Sequence, residues 1–285
     1  MQPFDSLDRL EQLSQLDPVI SRVRRSVNSI LQPQSLRDLL HGVWLGHPLH
    51  PVLVDVPIGA WTSAAMLDLV PKTGPAVGLL IGTGMVSAVP AAATGLTDWS
   101  ALNPAESRTG LVHAAFNTTA LALYGASLVA RVRGRRMKGK ALGFAGLTSV
   151  MVGGLIGGHL SYRRAAGANH TAEIPDIGPT EWTELGRLDE LPDGQLTRRD
   201  VGAVPVLLLR RGNRVHALAE HCSHLSGPLS KGTLTGGSDP CVVCPWHGST
   251  FRIADGSVVH GPATAPQPVF DTRVLSDRVE VRLAQ

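Results

Sequence analysis

The chain has little cysteine, few aromatics and almost no charge along the helical runs of its first half, and each shortage narrows what it can be. Three cysteines in 285 residues, all between Cys222 and Cys244, are too few and too clustered to staple a secreted fold. Two of them stand at ligand spacing with histidines, which points to metal before disulfide. The opening stretch, MQPFDSLDRLEQLSQL, lacks the basic-then-apolar layout of a cleavable signal peptide, so any targeting falls to membrane helices. No GxGxxG loop occurs, which argues against a bound flavin or nicotinamide and against a complete reductase. The net charge of +3 suggests an acidic partner until the excess is located in RVRGRRMKGK, residues 131–140. A basic loop between apolar runs is a membrane-topology signal, and no nucleic acid is needed to explain it.

Composition changes near residue 165, so two domains are expected rather than one. Residues 1–46 read as an amphipathic amino-terminal segment: Leu7, Leu10, Leu13, Leu16, Ile20, Val23, Val27 and Ile30 recur at spacings of three and four, interrupted by Pro18. Residues 47–165 hold four apolar stretches, at roughly 52–70, 74–96, 110–131 and 141–162, each near the ~20 residues a transmembrane helix needs. Gly pairs four apart, Gly78 with Gly82, Gly153 with Gly157 and Gly154 with Gly158, predict close helix packing. The six basic residues of the 131–140 loop put that loop in the cytoplasm, and the carboxy-terminal domain then lies on the non-cytoplasmic face of a multi-pass cell-membrane protein.

Antiparallel spans bring four helix ends to one side, and the unusual polar residues sit there. His47 and His50 lie at the entry to the first span, His113 with Asn117 in the third, and His159 at the close of the fourth. Ionisable groups at membrane depth are costly and so mark function. Two readings stand: a b-type haem or quinone site built from His47, His50, His113 and His159, or polar helix packing near the interface. HPLHP before the first span, DW after the second and GGHLSY in the fourth resemble a family of membrane domains of uncharacterised function that is often fused to Rieske domains. That resemblance covers about residues 41–165 and implies architecture, not activity.

After a linker at 166–178, residues 179–285 turn to short alternating segments broken by Gly, Pro and Asp, the pattern of β structure. Cys222-Ser-His224 is separated by nineteen residues from Cys244-Pro-Trp-His247. Cys and His at short spacing also bind zinc. Here CPWHGSTFRIADGSVVHGPATAPQP continues as strand, turn, strand and a Gly-Pro turn, and the run from Trp182 to Val281 resembles Rieske domains. The resemblance implies a [2Fe-2S] cluster in which Cys222 and Cys244 hold one iron and His224 and His247 the other, with Ser249 and nearby amides tuning it. Cys241 mimics a CxxC partner of Cys244 but reads as a strand residue that fills space. Rieske proteins of quinol-oxidising complexes carry a second cysteine in each loop; Gly227 and Trp246 stand at those places here. Phe251 stands where they have a tyrosine. The likeness is therefore to the ferredoxin and oxygenase type, which implies a low potential within the class.

The expected fold is thus multi-domain, an α-helical four-span membrane bundle followed by an all-β antiparallel Rieske domain. With some forty residues after His247, the chain has no room for a mononuclear oxygenase iron site, so it is not a complete oxygenase. The expected function is a membrane-anchored one-electron carrier between the cluster and a haem, a quinone or a soluble redox partner protein. The competing expectation is a membrane-bound redox sensor or regulatory subunit.

Overall fold

The computed structural model describes residues 5–284, and its contacts fall into two compact units. One joins Met1–Gln32 to Leu49–Ala166; the other joins Pro33–Pro48 to Gly167–Gln285. The stretch read from sequence as one segment, 1–46, is thus shared between them.

In the first unit, a short helix α1 (Asp5–Asp8) and two 3-10 turns lead into α2 (Asp17–Ile30). Pro18 starts α2 rather than interrupting it: at the first turn its missing N–H has no intrahelical partner to lose. In the second unit, α3 (Gln34–His41) follows, closed by Gly42 in the left-handed conformation. Back in the first unit come the long helices α4 (His50–Leu67), α5 (Gly74–Ser100), α6 (Pro104–Val132) and α7 (Arg136–Gly158). α6 begins where the Asn103 side chain accepts from Glu106 N at 3.1 Å, with Pro104 next in line. Among the described residues, two stretches, Gly74–Ser100 and Arg136–Arg163, are long and apolar enough to cross a membrane.

α4 packs along α5 and α6 along α7. Their core stacks Trp61 on Tyr124 with centroids 4.5 Å apart, over Val77, Ile81, Ala120 and Val150. Only some of the expected glycine contacts form. Gly153 and Gly157 lie under Asn117 and His113, whereas a Cβ at Gly78, Gly82 or Gly154 would point into open space, with nothing within 4 Å. Gly84, which the spacing rule did not single out, is required: a Cβ there would fall 2.3 Å from the Trp61 indole nitrogen.

The second unit carries, after a short α8 (Ile174–Ile177), ten strands: β1 (Thr183–Arg187), β2 (Leu196–Val201), β3 (Val204–Arg211), β4 (Arg214–Ala219), β5 (Thr233–Thr235), β6 (Cys241–Val243), β7 (Thr250–Arg252), β8 (Val258–His260), β9 (Val269–Leu275) and β10 (Arg278–Leu283). Six form one antiparallel sheet in the order β1-β10-β9-β4-β3-β2; four form a smaller one, β5-β6-β7-β8. The run VPVLLL explains how they join. Val204, Val206 and Leu208 of β3 enter a core with Val279 and Val281, while Leu207 and Leu209 point the other way into a core with Leu229, Val242 and Phe251. A strand buried on both faces needs an unbroken apolar run, because alternate residues point to opposite sides.

Candidate metal centre

Two loops hold the Cys and His residues. One runs from Cys222 to Gly232, between β4 and β5; the other from Cys244 to Ser249, between β6 and β7. Each is closed by its own backbone. Cys222 N donates to Gly227 O at 2.9 Å, and Ser226 N returns to Cys222 O at 2.8 Å. In the second loop Cys244 N donates to Ser249 O at 2.8 Å, and Gly248 N to Cys244 O at 3.1 Å, with Gly248 at φ +80°, where glycine carries no steric penalty. The loops face each other: the His224 and His247 rings meet edge to face with centroids 5.1 Å apart. Cys222 and Cys244 are both buried, unpaired by disulfide, and share a thiol hydrogen bond.

A third loop, which the sequence showed only as a Gly-Pro turn, locks these two. Gln267 is buried; its Oε1 accepts from Ser223 N at 3.0 Å, and its Nε2 donates to Ala219 O at 2.9 Å and to His221 O. Ser223 Oγ donates to Ala265 O at 2.8 Å, and Ala263 N donates to Ser249 Oγ at 2.9 Å. Nothing in GPATAPQP signals this, because a glutamine in a Pro-rich stretch normally reads as solvated loop. α3 adds a further stitch. Asp38 accepts from His260 Nδ1 and from Gly261 N, both at 2.9 Å, and buried His41 lies against Gly261.

The electrostatics suit a metal. Burial, then the neighbouring His247, His41 and His170, push the His224 imidazole down to about 3, so it stays neutral with a lone pair to offer. Its Nδ1 is buried with no hydrogen-bond partner, which is costly for a polar atom unless it binds something else. The Cys222 thiol, with Cys244 beside it and buried, is held up. Cys244 is drawn down to about 7 by that same thiol and by the amides of Trp246 and His247. Ser249 also hydrogen-bonds the Cys222 sulfur. Two sulfurs with one easily lost proton between them, plus two imidazoles, form a donor set that fits a [2Fe-2S] cluster of mixed ligation. Gly227 is part of the same cradle, since a Cβ there would stand 2.7 Å from Cys244 Sγ. Cys241 stays apart from this set, its Sγ donating to Asp239 O at 3.7 Å.

Glu220 supports the first loop from below. Buried, it accepts from Ser230 Oγ at 2.6 Å and Ser230 N at 3.1 Å, while burial holds its carboxyl above the usual range. Ser230→Ala is expected to cost about 1.5–3 kcal/mol once Glu220 is ionised, the value of a hydrogen bond to a charged group. A raised carboxyl ionises first in the unfolded chain, so the deficit opens as pH rises through the raised pKa and closes below it. Urea unfolding of wild type and variant across that range measures it; a pH-independent deficit would show that Glu220 is not the partner that matters.

The four histidines read at the membrane fall in both units. His47 belongs to the second unit, its Nδ1 3.0 Å from Pro48 O, and it lines a cavity of about 90 Å³ with Asn169, Ser223, His224 and Ala265. His50 and His113, in the first unit, meet edge to face at 6.4 Å. Their Nδ1 atoms sit 2.8 Å from Ala91 O and 2.7 Å from Gly153 O, and the Asn117 amide is 3.2 Å from His113 Nε2. With ring nitrogens engaged by helix carbonyls, the two act as struts between helices, and the haem or quinone expectation finds no support in them. His159 stands beside Asp8 and Glu11 instead.

Comparison with known proteins agrees with this division. Residues 181–271 match the Rieske [2Fe-2S] domain, and residues 46–170 match a family described as predicted membrane protein (DUF2231). The anthranilate 1,2-dioxygenase ferredoxin subunit of Burkholderia cepacia is 33% identical over 103 residues, spanning 36% of this chain and 93% of that protein. Ferredoxin CarAc of Metapseudomonas resinovorans is 32% identical over 101 residues, 35% of this chain and 92% of its own. Among solved structures, the ferredoxin of carbazole 1,9a-dioxygenase from Nocardioides aromaticivorans IC177 is 27% identical with a TM-score of 0.34, covering 36% of this chain and 98% of that one. The chain therefore belongs to the Rieske [2Fe-2S] family, carrying a ferredoxin-type electron-transfer domain behind an amino-terminal domain of the predicted membrane protein family.

Proposed function

We propose that this protein is a membrane-anchored one-electron carrier. Cys222 and Cys244 hold one iron of a [2Fe-2S] cluster and His224 and His247 the other, while Ser249 and the amides of His224, Trp246 and His247 donate to the ligand sulfurs. When bound, such a cluster takes up and gives back a single electron, at a potential raised by its imidazoles. The chain's own part is to keep both imidazoles neutral, both sulfurs out of water and the loops rigid. The observation that carries the reading is the meeting of two buried thiols and two edge-to-face imidazoles, one of them with an orphaned buried Nδ1.

The helical unit serves as the anchor, with α4 to α7 as four spans. Leu79, Val86 and Val89 of α5 and Met151 and Leu155 of α7 are exposed, and α4 exposes Val52 and Val56 as well. Large apolar side chains exposed in such number are unusual on a protein that faces water and are what a bilayer covers. The Rieske domain lies on the non-cytoplasmic face by the charge of the 131–140 loop. The similar ferredoxins are subunits of dioxygenase systems, and by that likeness the partner here is a soluble redox protein that docks at the exposed rim of the cluster loops. Trp246, 56% exposed and 6.3 Å from the His247 ring, is the docking anchor.

Iron-replete protein purified in mild detergent and reduced with dithionite is expected to give the EPR spectrum of a cluster with mixed histidine and cysteine ligation. A featureless spectrum overturns the ligand assignment. Trp246→Ala is expected to leave that spectrum and the midpoint potential unchanged while slowing reduction by a partner ferredoxin reductase about tenfold, the effect of losing ~1.4 kcal/mol of encounter affinity. Stopped-flow reduction measures it, and an unchanged rate places the contact elsewhere.

A further inference from the structure

Where α7 ends, the helix widens into one π turn, His159–Arg163, with Arg164 N donating to His159 O at 3.2 Å. Single π turns concentrate at functional sites, because the wider turn re-aims a side chain. The side chain here is His159, 3% exposed, whose Nε2 has no hydrogen-bond partner. That nitrogen stands 3.6 Å from Asp8 Oδ1, at the end of α1, and 3.6 Å from Glu11 Oε1, on the 3-10 turn that follows it. At that distance neither contact is a hydrogen bond. It is, however, the spacing of donors around one small cation: bonds of ~2.0–2.2 Å at tetrahedral angles set neighbouring ligand atoms ~3.3–3.6 Å apart.

We propose that Asp8, Glu11 and His159 bind one divalent first-row transition cation, of the Mn²⁺ to Zn²⁺ class, at a site separate from the Rieske cluster. Two carboxylates and one imidazole are hard to borderline donors, which suit those ions and not thiophilic Cu(I). Glu11 Oε1 is itself buried without an aligned donor, for Arg164 Nε lies 3.1 Å away but at an angle that makes no hydrogen bond. Arg163 grips Asp8 from outside, Nε to Oδ1 at 2.9 Å and Nη2 to Oδ2 at 2.5 Å, and so fixes the carboxylate while Oδ1 keeps a lone pair. Such outer partners orient ligands in many metal sites. Asp8 is 36% exposed, which gives an ion a way in. The rival account is a balanced ion-pair cluster, two arginines against two carboxylates, with neutral His159 filling space. It requires no cation, and its guanidinium charges would repel one.

The test uses the full chain with its cluster loaded, in detergent, titrated with Mn²⁺ while the room-temperature EPR signal of free Mn²⁺ is followed, and Zn²⁺ as competitor. One Mn²⁺ per chain is expected to bind and to be displaced by Zn²⁺. His159→Gln and Glu11→Gln are each expected to weaken binding at least tenfold, with the cluster spectrum unchanged. Asp8→Asn, at the most open of the three residues, gives the same readout if the buried replacements fail to fold. Absence of a bound Mn²⁺ in wild type, or a bound Mn²⁺ that survives all three replacements, overturns the proposal. Because these readouts are independent of the cluster, loss of the Rieske spectrum on its own leaves the cation site standing.

Discussion

Gly227→Ala is expected to yield a folded protein with at least tenfold less bound iron and a correspondingly lost Rieske EPR signal, although it adds a single methyl group. The backbone there is not in the left-handed region, so the new Cβ meets no conformational penalty. The penalty is contact: 2.7 Å to Cys244 Sγ and 3.2 Å to the Trp246 ring. Cys244 has nowhere to retreat, because its N–H is on Ser249 O and its sulfur takes the amides of Trp246 and His247. A ligand atom displaced by a few tenths of an ångström loses its metal geometry, and even outer-shell changes cost 10–100-fold in metal affinity. Iron content per chain after reconstitution is the measurement. Gly154→Ala is the control, since nothing lies within 4 Å of that position; it should retain full iron. Wild-type iron in Gly227→Ala would mean the two loops stand further apart than described.

The second large effect is expected in the helical unit. Asp68, at the end of α4, is held by Arg131 of α6: Nη1 donates to Oδ1 at 2.9 Å and Nη2 to Oδ2, with side chains only 10% and 13% exposed. Arg131 Nε also reaches Ser127 Oγ at 3.2 Å, and Ser127 donates to Gly139 O at 2.6 Å, so the pair ties α6 to α7 as well. Asp68→Asn leaves a guanidinium buried with no counter-charge and is expected to cost about 3–5 kcal/mol. Asp68→Leu combined with Arg131→Met removes both charges and should recover most of that loss, since a buried pair replaced by apolar groups of similar volume is often neutral. Thermal unfolding in detergent separates the two. A single variant as stable as wild type would mean the pair is solvated.

The pair also shows where sequence reading stops. Arg131 counts toward the basic loop at 131–140 when charges are tallied along the chain, yet one of those six is spent on a carboxylate 63 residues upstream. Pairings at such separations leave no local trace. The Cys and His ligand candidates were legible because metal geometry demands fixed residue types at short spacing, and β3 because double burial forces a continuous apolar run. Gln267, Asp38 and His41 were not, for each acts through a backbone or side-chain partner that only the fold brings near. The histidines of the helical region left two readings open for the opposite reason: cost at membrane depth flags a residue, and a ring nitrogen on a helix carbonyl meets that cost as well as a cofactor does.

The place of α3 in the second unit has a consequence for biosynthesis. Asp38 must find His260 and Gly261, which follow it by 222 and 223 residues. At ~5–20 residues per second, a ribosome takes roughly ten to forty-five seconds to cover that interval. Through that time the segment Pro33–Pro48 has been made but its partners have not, while four long helices emerge in between. The second unit can therefore close only after β10 has been made, so assembly of the electron-transfer domain waits on pieces made at both ends of that interval, and a fragment begun at residue 167 would lack its first-made piece.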